Sequence, residues 1–105
     1  MVKSKILNSH ESSNFVENFF LQHLESYKLR KKGIYTGYWW IEYEKESIII
    51  SFDGDIGYSF SIYVSDTKYS LWQYDRSVNN CVISTEENIL YQLQVLKKFL
   101  DEIGY

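Results

Sequence analysis

The chain has no proline and no alanine, one cysteine, two histidines and two arginines among its 105 residues. A lone thiol, Cys81, cannot close an internal disulfide, so nothing in the cysteine count asks for an oxidising compartment. No apolar run approaches the roughly 20 residues that a membrane-spanning helix needs. Lys3 and Lys5 near the start are not followed by the apolar stretch of a signal peptide, and the expectation is a cytoplasmic protein. No glycine-rich phosphate loop is present; Gly33 and Gly37 precede a strand-like segment, the wrong context for a nucleotide fingerprint. The missing Ala and Pro, set against frequent Ile, Lys, Tyr and Asn, follow the bias of AT-rich codons.

The same inventory excludes most site chemistry. A metal centre wants several converging His, Cys or carboxylate ligands, and His10 and His23 have no such company. Asp53-Gly54-Asp55 has the start of a calcium loop, but the loop's closing glutamate would fall on Val64; a hairpin turn is the simpler assignment. Cys81 has no sequence neighbour except Arg76 that would lower its pKa, so it reads as an inert buried thiol. The carboxylates Glu42, Glu44, Glu46, Asp53 and Asp55 sit at expected turns, where solvent keeps them ionised rather than poised for acid–base work. Neither a catalytic residue nor a cofactor or metal ligand is nominated, and the expectation is a protein that is not an enzyme.

What the chain does have is aromatic side chains: ten Tyr, six Phe and three Trp, 18% of all residues. Each buries 150–250 Å² when interior, so about half of them fill a core of this size and the rest must lie on a surface. The length suits one domain, residues 1–105. The net charge of −3 is uneven: six basic and three acidic groups in residues 1–33, three and seven in 34–80, two and four in 81–105. An acidic middle argues against a nucleic-acid platform there, because phosphate contacts need Lys and Arg, and suits a basic protein partner.

Periodicity predicts an α+β fold. Val16, Phe20, Leu24 and Tyr27, widened by Phe19, recur at helical spacing behind the candidate N-caps Ser9, Ser12, Ser13 and Asn14. The basic cluster Lys28–Lys32 followed by Gly33 reads as a helix end, giving a helix over about 12–31. Strands are expected at 34–43, 48–52, 56–64 and 68–74, with turns at 44–46, 53–55 and 65–67. Ile56–Val64 alternates apolar even and small or polar odd positions. A brief fifth strand is expected at 81–83. Ser84-x-x-Glu87 is a capping box ahead of Ile89, Leu93, Leu96, Leu100 and Ile103, a helix over about 85–103. Short turns permit only antiparallel neighbours. The result is an N-terminal helix, a four- to five-stranded antiparallel β-meander and a C-terminal helix packed on one face of the sheet.

The aromatic surplus on the sheet points to protein binding, since Tyr and Trp are enriched at interface hot spots. In the first strand one register pairs Tyr35, Trp39 and Tyr43, the other Ile34, Tyr38 and Trp40; one set must face away from the helices. Tyr63 should point outward, and Trp72 and Tyr74 should share a face. With its length, acidic aromatic sheet, lack of a catalytic motif and AT-rich composition, the chain resembles the small immunity proteins of bacterial polymorphic-toxin and contact-dependent growth-inhibition systems. That resemblance implies a cognate inhibitor that covers the active site of a toxin domain, often a nuclease, without touching nucleic acid or membrane itself. The expected partner-binding residues are Trp39, Glu42, Tyr43, Glu44, Tyr63, Asp66, Trp72 and Asp75. The alternative is a small ligand-binding module with an aromatic pocket between sheet and helices.

Overall fold

The computed structural model describes residues 6–36, 38–53, 59–80 and 85–104. Helix α1, Ser9–His23, is followed by a sheet of five strands, β1 (Lys28–Tyr35), β2 (Tyr38–Lys45), β3 (Ile48–Asp53), β4 (Ser59–Val64) and β5 (Thr67–Ser70). A one-turn helix α2 (Leu71–Tyr74), a 3-10 segment (Arg76–Asn80) and helix α3 (Glu86–Glu102) complete the chain. The strands lie in chain order and every neighbouring pair is antiparallel. This is the α+β meander expected from the periodicity, with several differences in its make-up, one of which sets the edge strand.

That difference is the basic segment. Lys28–Lys32 is not the end of a helix but the start of β1. Helix α1 begins at an Asn8 cap, ahead of the expected candidates: Asn8 Oδ1 accepts from the Glu11 amide at 2.8 Å, and the Asn8 amide donates to Glu11 Oε1 at 3.1 Å. The helix ends at His23, and Leu24 and Tyr27 are buried by the turn that leads into the strand. The physical reason is a bulge. Leu29 pairs with Tyr43 and Lys31 with Glu42, leaving Arg30 as the extra residue. The bulge lets Leu29 face the helices while Lys31 faces away, so the run shows no period-two pattern and imitates a cationic helix end.

The expected strand 34–43 is likewise two strands. Tyr35 and Tyr38 pair across a two-residue connection, which places Ile34 opposite Trp39 on one face and Tyr35 opposite Tyr38 on the other. The turn at Ser65–Asp66 falls within the expected 65–67, whereas the turn expected at 44–46 lies at Glu46–Ser47, because Glu44 and Lys45 continue β2. The segment 68–74 is a correction: β5 stops at Ser70, where Gln73 Oε1 accepts from the Ser70 amide at 3.1 Å and starts α2. Trp72 and Tyr74 therefore lie on a helical turn and do not share a strand face. Thr85, not Ser84, caps α3, accepting from the Asn88 amide at 3.2 Å. Residues 54–58, which hold most of the turn expected at 53–55 and the start of the strand expected at 56–64, and the strand expected at 81–83 lie outside the described residues.

One face of the sheet and the helices form a single core. From the sheet come Trp39, Ile41 and Tyr43, then Ile48, Ile50 and Phe52, then Ile62. From α1 come Val16, Phe19 and Phe20, and from α3 Ile89, Leu93, Leu96 and Leu100. The stripe of α3 is as expected except for Ile103, which is exposed beyond the helix end. Burying each large aliphatic side chain contributes about 1.5–3 kcal/mol before conformational entropy is counted. Flat ring contacts fix the layers: Phe20 stacks on Tyr43 with centroids 3.8 Å apart, and Trp39 on Phe52 at 4.9 Å. Tyr69 of β5 meets Phe99 of α3 at 5.6 Å.

Candidate interaction face

Because side chains alternate along a strand, the register that fills the core also defines the opposite face. Across the strands it carries Gly33 and Trp40, then Lys31, Glu42, Ser51, Ser61 and Ser70, then Glu44, Ile49, Tyr63 and Lys68. Tyr35 and Tyr38 stack at its corner with centroids 6.0 Å apart. The helices pack on the other side, and among the described residues no element lies over this face.

Trp40 holds the centre of its β1–β2 end. Its indole lies flat on Gly33: a Cβ built there would come within 2.5 Å of Trp40 Nε1. The missing side chain makes the room, as when an aromatic covers a glycine on a sheet. Lys31 Nζ lies 5.9 Å from the ring centroid, within cation–π range. The same Lys31 and Arg30 both approach Glu42 Oε2, each at 3.9 Å, so Glu42 is already compensated by two cations. A row of small serines, Ser51, Ser61 and Ser70, leaves the middle of the face low. Ile49 and Tyr63 raise its far side, where Lys68 Nζ lies 6.0 Å from the Tyr63 ring.

At one end of the sheet two turns meet. The Ser65 amide donates to the Ser47 carbonyl at 2.9 Å, tying the β2–β3 and β4–β5 turns together. Glu44, Glu46 and Asp66 are all exposed there. Glu46 (φ 53°) and Ser65 (φ 55°) adopt the left-handed conformation that favours glycine.

The eight expected contact residues separate into four groups. Glu42, Glu44 and Tyr63 share the open face, and Asp66 lies at its acidic end. Trp39 and Tyr43 do not: they are 2% and 5% exposed, packed under α1. The pairing of Tyr35 with Tyr38 shifts parity between β1 and β2, so Trp40 and Tyr38 are the outward aromatics and Trp39 and Tyr43 the inward ones. Trp72 is exposed, but on α2. Asp75 is used internally: it accepts from the Ser77 amide at 2.9 Å and from the Tyr91 hydroxyl at 2.9 Å, tying the segment after α2 to α3. The Ser77 amide, then the Tyr91 hydroxyl, hold the Asp75 carboxyl below the usual carboxylate range. Trp40 and Ile49 were missed; the signal that could have found Trp40 is its glycine partner, which only strand pairing reveals.

No three His, Cys, Asp or Glu side chains among the described residues converge as metal ligands. His23 rests against Phe19 with ring centroids 4.7 Å apart, and His10 is exposed. The aromatics that would line a pocket between sheet and helices, Phe20, Tyr43, Trp39 and Phe52, instead stack on one another. Burial, then the nearby Glu17 carboxylate, pushes the Tyr43 phenol up to about 12. No described helix is long and apolar enough to cross a membrane. No protein-family pattern, curated protein or solved structure matches the chain.

Proposed function

We propose that this chain acts by binding another protein through the open face of its sheet, as an immunity protein that neutralises a cognate toxin domain by covering its active site. The observation that carries this reading is the open face itself. A sheet whose other side is a complete core presents Trp40, Tyr38, Tyr35, Ile49 and Tyr63 outward, with Glu44, Glu46 and Asp66 at one end. Rigid aromatics that are partly ordered before binding lose little entropy on docking. Exposed carboxylates at the edge of such a patch speed encounter with a basic surface. The partner this suits is a basic domain with a cleft, and a nuclease is the class whose cleft is basic by necessity.

The test starts with the tagged protein recovered from an extract of its own host at low salt, its companion identified by mass spectrometry and then produced recombinantly. With that pair in hand, Trp40→Ala should raise the dissociation rate. Glu44→Lys with Asp66→Lys should slow association by about tenfold at low salt, and the loss should shrink as salt rises. Inhibition of the partner's activity should follow the same order. An affinity indifferent to salt and to all three substitutions would sink the docking face, and a protein that elutes alone would sink the inhibitor reading.

A further inference from the structure

Helix α1 runs beside β1, the edge strand of the sheet. Two openings lie between them, one at each end. The first, about 350 Å³, is lined by Phe20, Leu21, Tyr27, Leu29 and Tyr43, together with Glu17, Glu25 and Lys28, near the end of α1. The second, about 500 Å³, is lined by Asn8, His10, Ile34, Tyr35 and Thr36 near its start. The ion pair of Lys32 Nζ with Glu17 Oε2 at 3.0 Å stands between them along both elements. The lips of the first opening are leucines that a folded chain would rather cover: Leu21 is 70% exposed and Leu29 43%.

The strand beside this groove is cationic. Lys28, Arg30, Lys31 and Lys32 lie within five residues, and Arg30 and Lys31 keep 41% and 56% of their side-chain surface. Among the described residues no strand pairs with the outer edge of β1. Lysines and a bulge on an edge strand guard against pairing with another copy of the same strand. The charge that repels a like strand attracts an acidic one, and beyond the bulge the stretch Lys31–Tyr35 keeps a regular ladder.

We propose that the outer edge of β1 takes an acidic extended segment of a protein partner as a sixth strand, with two of its apolar side chains seated in the two openings. The geometry sets the pattern. The residues of β1 that face the helices are Leu29, Lys32 and Ile34, two strand repeats apart once the bulge is counted. An added strand spans that distance, about 13 Å, in four residues. The partner segment therefore carries apolar residues at i and i+4, and a small residue at i+2, where the Lys32–Glu17 pair fills the groove. The acidic residue opposite Lys31 meets that cation on the far side, and the position opposite Gly33 meets none. Main-chain bonds supply the affinity and the two openings the selectivity, as in other additions of a strand to a sheet edge. This site lies apart from the aromatic face and does not depend on the immunity reading.

The experiment uses the intact protein and a fluorescein-labelled heptapeptide, Glu-Leu-Glu-Thr-Glu-Leu-Glu. Anisotropy should show saturable binding below about 1 mM, weakening as salt rises. Backbone amide shifts in the NMR spectrum should concentrate on Lys31–Tyr35 and Leu21. A peptide with Pro for Thr loses a main-chain donor and should bind at least about tenfold more weakly; one with Lys for every Glu should not bind. Tyr63→Ala, on β4 and away from this edge, should leave the peptide affinity unchanged while weakening any partner of the open face, which separates the two sites. The proposal is overturned if the peptide fails to bind up to about 5 mM, if the Pro or Lys peptide binds as well, or if the shifts map to the open face.

Discussion

Trp39 and Trp40 are neighbours in the chain, and one strand sends them to opposite sides of the sheet. Trp39 stacks on Phe52 inside the core and is 2% exposed. Trp40 lies on Gly33 at the surface, half-buried, with a lysine at its ring. Composition treats them alike. What separates them is register: the hairpin after Tyr35 fixes which residues of β2 face α1, and a slip of one residue would exchange every side chain between core and surface. The inner face is therefore defined by packing among rings, and the outer one by small residues, paired charges and a few aromatics without a cover.

Truncation should expose this difference most sharply. Trp39→Ala removes a fully packed indole and should cost about 3–5 kcal/mol, a large share of the roughly 5–15 kcal/mol that holds a domain together. Trp40→Ala should cost about 1 kcal/mol, the size of an ordinary partly exposed change. Urea unfolding followed by far-ultraviolet circular dichroism measures both, and equal costs would mean that the two faces have been assigned wrongly.

Gly33 sharpens the outer side of the comparison. A methyl group there meets Trp40 Nε1 at 2.5 Å, so Gly33→Ala should cost about 1–3 kcal/mol as overpacking and shift indole emission to the red. In a Trp40→Ala background the same substitution should be close to neutral. A cost that persists without the indole would place the strain in the backbone of β1 instead.

The inner face also has a pH signature. The Tyr43 phenol is raised to about 12 by burial and by Glu17, against about 10 in an unfolded chain. Between these values the unfolded state releases the proton and the folded state retains it, so stability present below pH 10 falls as pH rises toward 12. Tyr74 adds to the same trend, raised to about 12 by burial and by its hydrogen bond to Glu102. Tyr43→Phe should flatten part of the alkaline decline in the urea midpoint; an unchanged slope would remove Tyr43 as a cause.

The elements that were legible in the sequence are those whose pattern is local. The apolar stripe of α3, the alternation leading to Ile62 and Tyr63, and the polar turn at 65–66 can each be read from a few residues. The basic strand could not, because a bulge erased its alternation and a cationic tail beside a glycine is also how helices end. The split of 34–43 into two strands was hidden for a related reason: Tyr and Trp suit both faces of a sheet, so the aromatic run carries no parity of its own. The error in the candidate face follows directly. Glu42, Glu44 and Tyr63 were reachable from patterns within one strand, whereas choosing Trp40 over Trp39 required knowing which residue pairs with Gly33.

The smallest effect is expected where the two faces meet, at the tied turns. Glu46 sits at φ 53°, a conformation that costs a residue with a Cβ about 1 kcal/mol or more and glycine nothing. Glycine also gains freedom in the unfolded chain, which offsets part of the relief. Glu46→Gly should therefore stabilise the fold by about 0.5 kcal/mol, the difference between these terms, read as a small rise in the urea midpoint with an unchanged slope. If the protein binds a basic partner through this end of the sheet, the same substitution should slow association. A variant both more stable and slower to bind would show that this carboxylate is kept at the expense of the fold. A variant that is less stable would mean that the glutamate side chain supports the turn.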